Sequence, residues 1–509
     1  MNYKMIRYTL GLILRFEAIF LCVPIVTGLI YREWQGLSAF VAVAGLCLSL
    51  GFFISYKKPE NMKLYARDGF VIVSLSWILL SLMGALPFVL CGAIPNYIDA
   101  LFETVSGFTT TGSSIIPSDV LEALDHCVLI WRSFTHWVGG MGVLVFVMAI
   151  LPLSGAQNMH IMRAESPGPE VSKLVPRVRR TAIILYIIYF VMTLTLFFLL
   201  LIDGGIDSGA KHTMGVFDAA CTAFGTAGTG GFGVKGDSIA SYSPYVQIIC
   251  TVFMLLFSIN FNSYYLILRS KLRDAFNSEV RVFLVIVAVA ITAISVNIYL
   301  TEIEGAATVG EALRHAAFSV ASLISTSGFA TLDFNLWPDF SKLILVMIMF
   351  IGACAGSTGG GIKVSRIIIL VKGMIRELGD LINPRRVKKI TIDKKPVGSE
   401  VVRSVNAYLV TFVLIFAGSV LLLSFDPYVY TSPMPGGEVD GGKLLTNFTA
   451  VTACINNIGP GLDMVGPAAN YAFFSPFSKI VLIFDMLAGR LELFPMLLLF
   501  APTTWKRKQ

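Results

Sequence analysis

Four short stretches, Thr109-Thr110-Thr111-Gly112, Gly225-Thr226-Ala227-Gly228, Ser325-Thr326-Ser327-Gly328 and Asn456-Asn457-Ile458-Gly459, lie between long apolar runs, and each ends in glycine. No Ser/His pair or paired Asp falls among them, so a nucleophile with its base is missing and the chemistry left is that of oxygen lone pairs. Backbone carbonyls and hydroxyls that face a cavity can replace the hydration shell of a cation. Lipid tolerates non-helical backbone at membrane depth only where it is buried in protein or lines an aqueous cavity. A carbonyl-lined cavity is therefore the first functional expectation.

The four stretches resemble one another. Phe102-Glu103 leads into the first, Phe217-Asp218 into the second, Phe318 into the third and Phe448 into the fourth, with 10, 11, 10 and 11 residues from Phe to the closing Gly. Self-similarity of this kind marks a repeat architecture. The second copy, TAGTGGFG, leaves two registers open: spacing favours Gly228, whereas matching Gly231-Phe232 to Gly328-Phe329 favours Gly231. Each copy is expected to be a half-depth helix followed by an extended strand. Glu103, Asp218 and Glu311 would sit in or near the first turns, at the positive ends of helix dipoles. The negative ends would then converge on the membrane centre and favour a cation. The size, number and field of the converging oxygens would favour a larger alkali cation over sodium.

A second anomaly is Met349 to Lys363, MFIGACAGSTGGGIK, where Gly352, Gly356, Gly359, Gly360 and Gly361 interrupt an apolar run together with Ala353, Cys354, Ala355, Ser357 and Thr358. Glycine in a helix interior costs roughly 1 kcal/mol relative to alanine, so the helix should break. Two readings stand: a flexible gate below the third strand, or a glycine patch for close helix packing. Arg490, in FDMLAGRLELF, either faces the cavity and opposes cations or pairs with Asp485 or Glu492. Lys363 is expected to snorkel to the cytoplasmic interface. Arg132 and His136, in WRSFTHWVGGMG, are candidates to support the first strand from outside. The remaining histidines show no metal-binding spacing.

These segments need helices long enough to carry them across a bilayer. Of 509 residues, 55% are hydrophobic and 14% charged, which places the chain among integral membrane proteins. Net charge is +7, but Lys and Arg are confined to loops, which points to orientation in the bilayer and away from nucleic acid. Eight cysteines without CxxC pairing imply neither a disulfide framework nor a metal site. The basic N-terminus leads into an apolar run holding Arg15 and Glu17, read as a retained helix. At about 20 residues per span, ten spans are expected near 10–31, 37–56, 69–91, 128–152, 181–202, 243–268, 278–300, 340–371, 404–424 and 476–500. The basic loops, including 372–403, would face the cytoplasm with both termini. The expected fold is an all-α polytopic membrane protein with four pseudo-symmetric helix, pore-hairpin, helix repeats around one pore. Two extra helices over 1–66 precede repeats at 67–155, 175–270, 275–375 and 401–509, with a cytoplasmic loop at 376–400.

TTTGSS, STSGFAT, NNIGPG and GSTGGGIK, with WVGGMG and LAGRLELF, closely resemble the potassium transporter superfamily of Trk, Ktr and plant HKT proteins, and its TrkH-like branch in particular. The resemblance covers essentially the whole chain. It implies a bacterial inner-membrane potassium uptake protein with filter glycines Gly112, Gly228 or its neighbours, Gly328 and Gly459. By the same resemblance Gly352 to Gly361 would be an intramembrane gate, and Arg490 would project into the cavity beneath the filter. It further implies a homodimer with one pore per protomer and a cytosolic, TrkA-like ring of nucleotide-binding regulatory subunits, for which the basic loop offers a docking surface. Serine in place of the first filter glycine marks sodium-selective plant relatives, so Gly112 argues for potassium. No nucleotide motif lies in the chain itself, and no organic cofactor is expected. The runner-up reading is a sodium- or proton-coupled symporter, and a distant one is an intramembrane enzyme.

Overall fold

Apolar runs with helical periodicity become helices almost throughout the computed structural model, which describes residues 1–60, 65–142, 178–205, 211–383, 389–426 and 443–505. Among these residues six helices are long and apolar enough to cross a membrane: Tyr3–Tyr31, Trp34–Ile54, Arg67–Leu90, Ala182–Leu201, Ser278–Leu300 and Ser399–Ser424. The other expected spans are shorter or broken. The sixth bends by 89° between Pro244–Phe257 and Phe261–Leu268. The eighth divides into Asp339–Ile351 and Val364–Ile382, and the tenth into Pro476–Arg490 and Phe494–Phe500. The fourth runs helically over His126–Gly140; the rest of its expected length, from 143, lies outside the described residues, as do Arg163, Lys173 and Arg177. Much of the basic segment read as a loop is also helical, because Val364–Ile382 continues well past 371, and Thr391–Ile392 then pairs antiparallel with Lys395–Pro396.

Four shorter helices, Tyr97–Phe108, Val216–Gly228, Val309–Ile324 and Lys443–Ile455, lie inside this shell. Each packs against the helix that follows the previous one, and the contacts close on themselves. His126–Gly140 packs on Val216–Gly228, Pro244–Phe257 on Val309–Ile324, Asp339–Ile351 on Lys443–Ile455, and Pro476–Arg490 on Tyr97–Phe108. A closed cycle of this kind brings the C-terminal ends of four helices around one centre.

The outer helices differ in what covers them. Only 22% of the apolar window in Ala182–Leu201 and in Ser399–Ser424 is buried, and 28% in Ser278–Leu300, against 67% in Arg67–Leu90. Several helices cover Ala66–Gly84: Tyr3–Phe20 packs on both it and Trp34–Ile54, Tyr97–Phe108 and Phe494–Phe500 pack on it too, and Trp77 and Leu80 join Ile13, Leu14 and Phe40 in one buried cluster.

One polar contact anchors the N-terminal pair. The helix His126–Gly140 begins after Asp125, whose side chain makes no capping bond. Glu33, in the turn between Cys22–Tyr31 and Trp34–Ile54, supplies it. Its carboxylate accepts the backbone N–H of His126 at 2.7 Å and of Cys127 at 2.9 Å, and also meets His126 Nδ1 at 2.7 Å. Burial pushes the Glu33 carboxyl up, but these donors outweigh it and hold it below the usual carboxylate value. The stabilisation is therefore complete above the ordinary carboxylate pKa and lost as pH falls through the lowered one. Glu33→Ala should lower thermal stability in detergent by about 1 kcal/mol, the usual loss for a helix cap. Melting wild type and variant across pH checks this: the gap should close on acidification, and a gap that is constant with pH would rule the cap out as its source.

Candidate functional site

At the C-terminal end of each inner helix the chain makes the same turn. Thr111, Gly230, Ser327 and Ile458 donate their backbone N–H to the carbonyl five residues earlier, on Ser106, Gly225, Ser322 and Ala453, at 2.9, 2.9, 2.8 and 2.9 Å. The residue before each has left-handed backbone, with φ of +57° at Thr110, +57° at Thr229, +62° at Thr326 and +56° at Asn457. The residue after each is glycine with φ of +82°, +75°, +80° and +98° at Gly112, Gly231, Gly328 and Gly459. Of the two registers open for the second copy, the one that closes at Gly231 has this turn, three residues beyond the one set by phenylalanine spacing. Gly225, Thr226, Ala227 and Gly228 belong to the helix Val216–Gly228, and the strand equivalent to Thr109–Gly112 is Gly228-Thr229-Gly230-Gly231. Phe217 was a poor ruler because it stands in the first turn of its helix, while Phe102 and Phe318 stand midway along theirs.

The four strands meet edge to edge. A Cβ on Gly112 would lie 1.9 Å from the Gly230 carbonyl oxygen, one on Gly231 1.9 Å from that of Ser327, one on Gly328 2.2 Å from that of Ile458, and one on Gly459 2.8 Å from that of Thr111. No side chain fits there, and the positive φ independently favours glycine. The contacts run from first to second, second to third, third to fourth and fourth to first, so the strands form a closed ring. All four glycines line one cavity, with Ser113, Arg132 and Tyr471 on its wall. The ends of four helices point their negative dipoles at this ring, and Thr110 Oγ1 is buried there without a hydrogen-bond partner among the described residues.

Side chains brace the strands differently. Thr109 and Thr111 share a hydroxyl contact at 2.8 Å, and so do Ser325 and Ser327. Asn457 Nδ2 donates to Thr111 Oγ1 at 3.0 Å and to the Met486 carbonyl at 2.9 Å. Ser113 Oγ and Tyr471 O–H both donate to the Gly459 carbonyl, at 3.0 and 2.8 Å. Glu103 is not in a first turn, seven residues into Tyr97–Phe108 as it is; its carboxylate accepts from Arg132 Nε at 2.7 Å, from Ser114 Oγ and from the Ile115 N–H. Arg132 also lies over the Phe232 ring at 4.2 Å and donates to the Gly233 carbonyl at 3.4 Å, so it supports the second strand as well as the first. Asp218 and Glu311 do occupy first turns. At the cavity rim, the Lys235 ammonium beside Glu122 holds that carboxyl below its usual range.

The interrupted eighth span lies against the ring. Gly352, Gly356 and Gly361 take positive φ, and the loop between Ile351 and Val364 bonds outward at many points. Cys354 N–H donates to the Ser258 carbonyl at 3.1 Å, Thr358 Oγ1 to that of Phe257 at 3.2 Å, and Ala353 accepts from the Val364 N–H at 3.2 Å. Gly360 N–H donates to Thr326 Oγ1 at 2.7 Å, directly beneath the third strand. Arg490 donates to the Thr358 carbonyl at 2.8 Å and to those of Gly139 and Gly140, while the carboxylates offered by the sequence are engaged elsewhere, Asp485 by Ser419 and Glu492 by Arg366. Lys363 does not snorkel: it is buried and donates to the Gly359 carbonyl inside the loop. Glu279, which the sequence reading passed over, accepts the N–H of both Ala355 and Ser365, at 2.7 and 3.1 Å, on one oxygen. Its only signal in the sequence is a carboxylate in the first turn of an apolar span.

Among the described residues one group of side chains has metal-like spacing. Glu33, Asp125 and Cys127 offer ligand atoms within 4.8 Å of one another, but the Glu33 carboxylate is already committed to the helix cap.

Comparison with known proteins bears on this geometry. The family described as "TrkH: Cation transport protein" matches residues 37–507. The Trk system potassium uptake protein TrkH of Halomonas elongata is 34% identical over 519 residues and covers all of both chains. The Trk system potassium uptake protein TrkG of Escherichia coli K12 is 30% identical over 99% of each chain. The crystal structure of the potassium transporter TrkH from Vibrio parahaemolyticus superposes with a TM-score of 0.84 at 31% identity, over 99% of this chain and 100% of that one. A family match across nearly the entire chain, with full-length identity and a shared fold, means that this chain is a multi-pass membrane protein belonging to the TrkH family of cation transport proteins.

Proposed function

We propose that the chain takes up potassium through a carbonyl-lined filter formed by Thr109–Gly112, Gly228–Gly231, Ser325–Gly328 and Asn456–Gly459. The observation that carries this reading is the ring itself: four strands of one backbone conformation, packed glycine to carbonyl and lining a single cavity. Carbonyl oxygens held in such a ring can substitute for water around an alkali ion, and the helix ends behind them supply a field favourable to cations. The membrane potential contributes about 2.3 kcal/mol per charge per 100 mV, enough to drive accumulation without a chemical step.

Gly352 to Gly361 is the gate, held shut by Arg490. The guanidinium ties the Thr358 carbonyl to the end of His126–Gly140 and places positive charge against the loop under the filter. Four repeats, bounded as the sequence suggests, surround this single pathway. The chain works as a homodimer in a bacterial inner membrane with both termini in the cytoplasm, alongside a TrkA-like nucleotide-binding ring. The uptake function of the relatives supports this reading, and the basic segment after Val364–Ile382 is the surface offered to the ring.

Gly112→Ser would press a Cβ against the Gly230 carbonyl. Rubidium and sodium flux into liposomes should show the preference for rubidium falling at least about tenfold, equivalent to about 1.4 kcal/mol; an unchanged ratio would sink the filter assignment. Flux that requires an imposed sodium or proton gradient would replace conduction with symport. Deleting Gly356 to Gly361, or making Arg490→Ala, should raise open probability in bilayer recordings, and unchanged or lower activity in both would count against a gate.

A further inference from the structure

The second strand lacks the side chains that brace the others. Where the first has Thr109 and Thr111, and the third Ser325 and Ser327, the second has Gly228 and Gly230. The fourth carries Asn457, whose amide reaches outward to Thr111 and Met486. Two glycines, one closing the helix and one in the turn after it, should leave it the loosest of the four. The space their side chains would take is filled by His136, from the helix His126–Gly140. A Cβ on Gly230 would lie 2.2 Å from both Cγ and Nδ1 of the imidazole, and one on Gly228 2.2 Å from the His136 carbonyl oxygen.

The ring is fully buried and makes two directed contacts. His136 Nδ1 is 2.8 Å from the Gly107 carbonyl oxygen, in the last turn of the first inner helix. Phe232 N–H, immediately after Gly231, reaches His136 Nε2 at 3.3 Å. A carbonyl can only accept and a backbone N–H can only donate, so the imidazole must be neutral with its proton on Nδ1. The Phe232 ring lies 4.3 Å from the imidazole centroid, tilted by 41°, and is also met by Arg132, one helical turn before His136.

We propose that His136 is the positioning residue of the second filter strand. It supplies from a neighbouring helix the brace that hydroxyls supply within the first and third strands, and it thereby sets how sharply the filter separates potassium from sodium. Gly228 and Gly230 are the room made for it. This rests on the proposed filter function and deepens it.

The test measures competing rubidium and sodium uptake by the full-length protein in liposomes, on fractions that elute as a single species. His136→Ala removes the acceptor for a buried N–H and should lower the rubidium-to-sodium ratio about tenfold. His136→Gln, whose carbonyl can still reach the Phe232 N–H, should keep most of it. Gly230→Ser should nearly abolish flux when the imidazole is present and recover it in the His136→Ala background, where the hydroxyl has space. An unchanged ratio in His136→Ala, or equal loss from Gly230→Ser in both backgrounds, overturns the proposal. If His136→Ala does not fold, His136→Asn replaces it: too short to offer Phe232 an acceptor, it should lower the ratio where Gln holds it, and equal ratios overturn the proposal. Wild-type protein with no preference for rubidium would sink the filter reading itself, whereas a preference indifferent to His136 sinks only this inference.

Discussion

Four backbones approach one another here more closely than a methyl group allows. Each strand glycine abuts a neighbouring carbonyl oxygen, with 1.9 to 2.8 Å left for any Cβ. Such a ring cannot hold itself together. The four helix ends behind it bring dipole ends of one sign together, and like poles repel. Cohesion has to come from outside, and the fold supplies it as a closed cycle in which each inner helix is clasped by the helix following its predecessor. The long outer helices, the bends and the breaks all serve that cycle.

Within the common backbone the braces are individual. Hydroxyl pairs stiffen the first and third strands, an amide ties the fourth to the first, and a neighbouring imidazole fills the second. A ring built from one chain can differ from quarter to quarter in a way that four identical subunits cannot. The buried Arg132 and Glu103 pair belongs to the same asymmetry. Ser114, Ile115, Gly233 and the Phe232 ring satisfy what the ion pair leaves over, as a buried pair requires.

Much of this was legible in the chain. Composition and apolar runs yield a polytopic helical protein, and three of the four polar stretches stand where the strands turn. The errors have definite causes. Phenylalanine spacing misplaced the second strand because a helix's starting point is not set by the distance to its far end, and Gly231-Phe232 was the better guide. Continuous apolar runs concealed the 89° bend after Phe257 and the break after Arg490, since hydropathy reports the medium around a residue and not the path of the chain. Lys363 looked like an interfacial residue because sequence places it at the end of a span, while the folded loop curls around its ammonium. Glu279 could not be read at all, because its partners are backbone amides more than seventy positions away.

That carboxylate has a mechanical consequence. One oxygen of Glu279 receives the N–H of Ala355 and of Ser365, so the two sides of the loop are pinned to a single point at the start of Ser278–Leu300. The adjacent Ser278 is fastened in turn to Asp393, in the turn of the small hairpin. The hoop is closed at its base, and its crown, Gly359 and Gly360, rests against the strands. A pull on the hairpin therefore acts at the clasp of the hoop, not at its crown, and lengthens the free segment only by undoing that clasp.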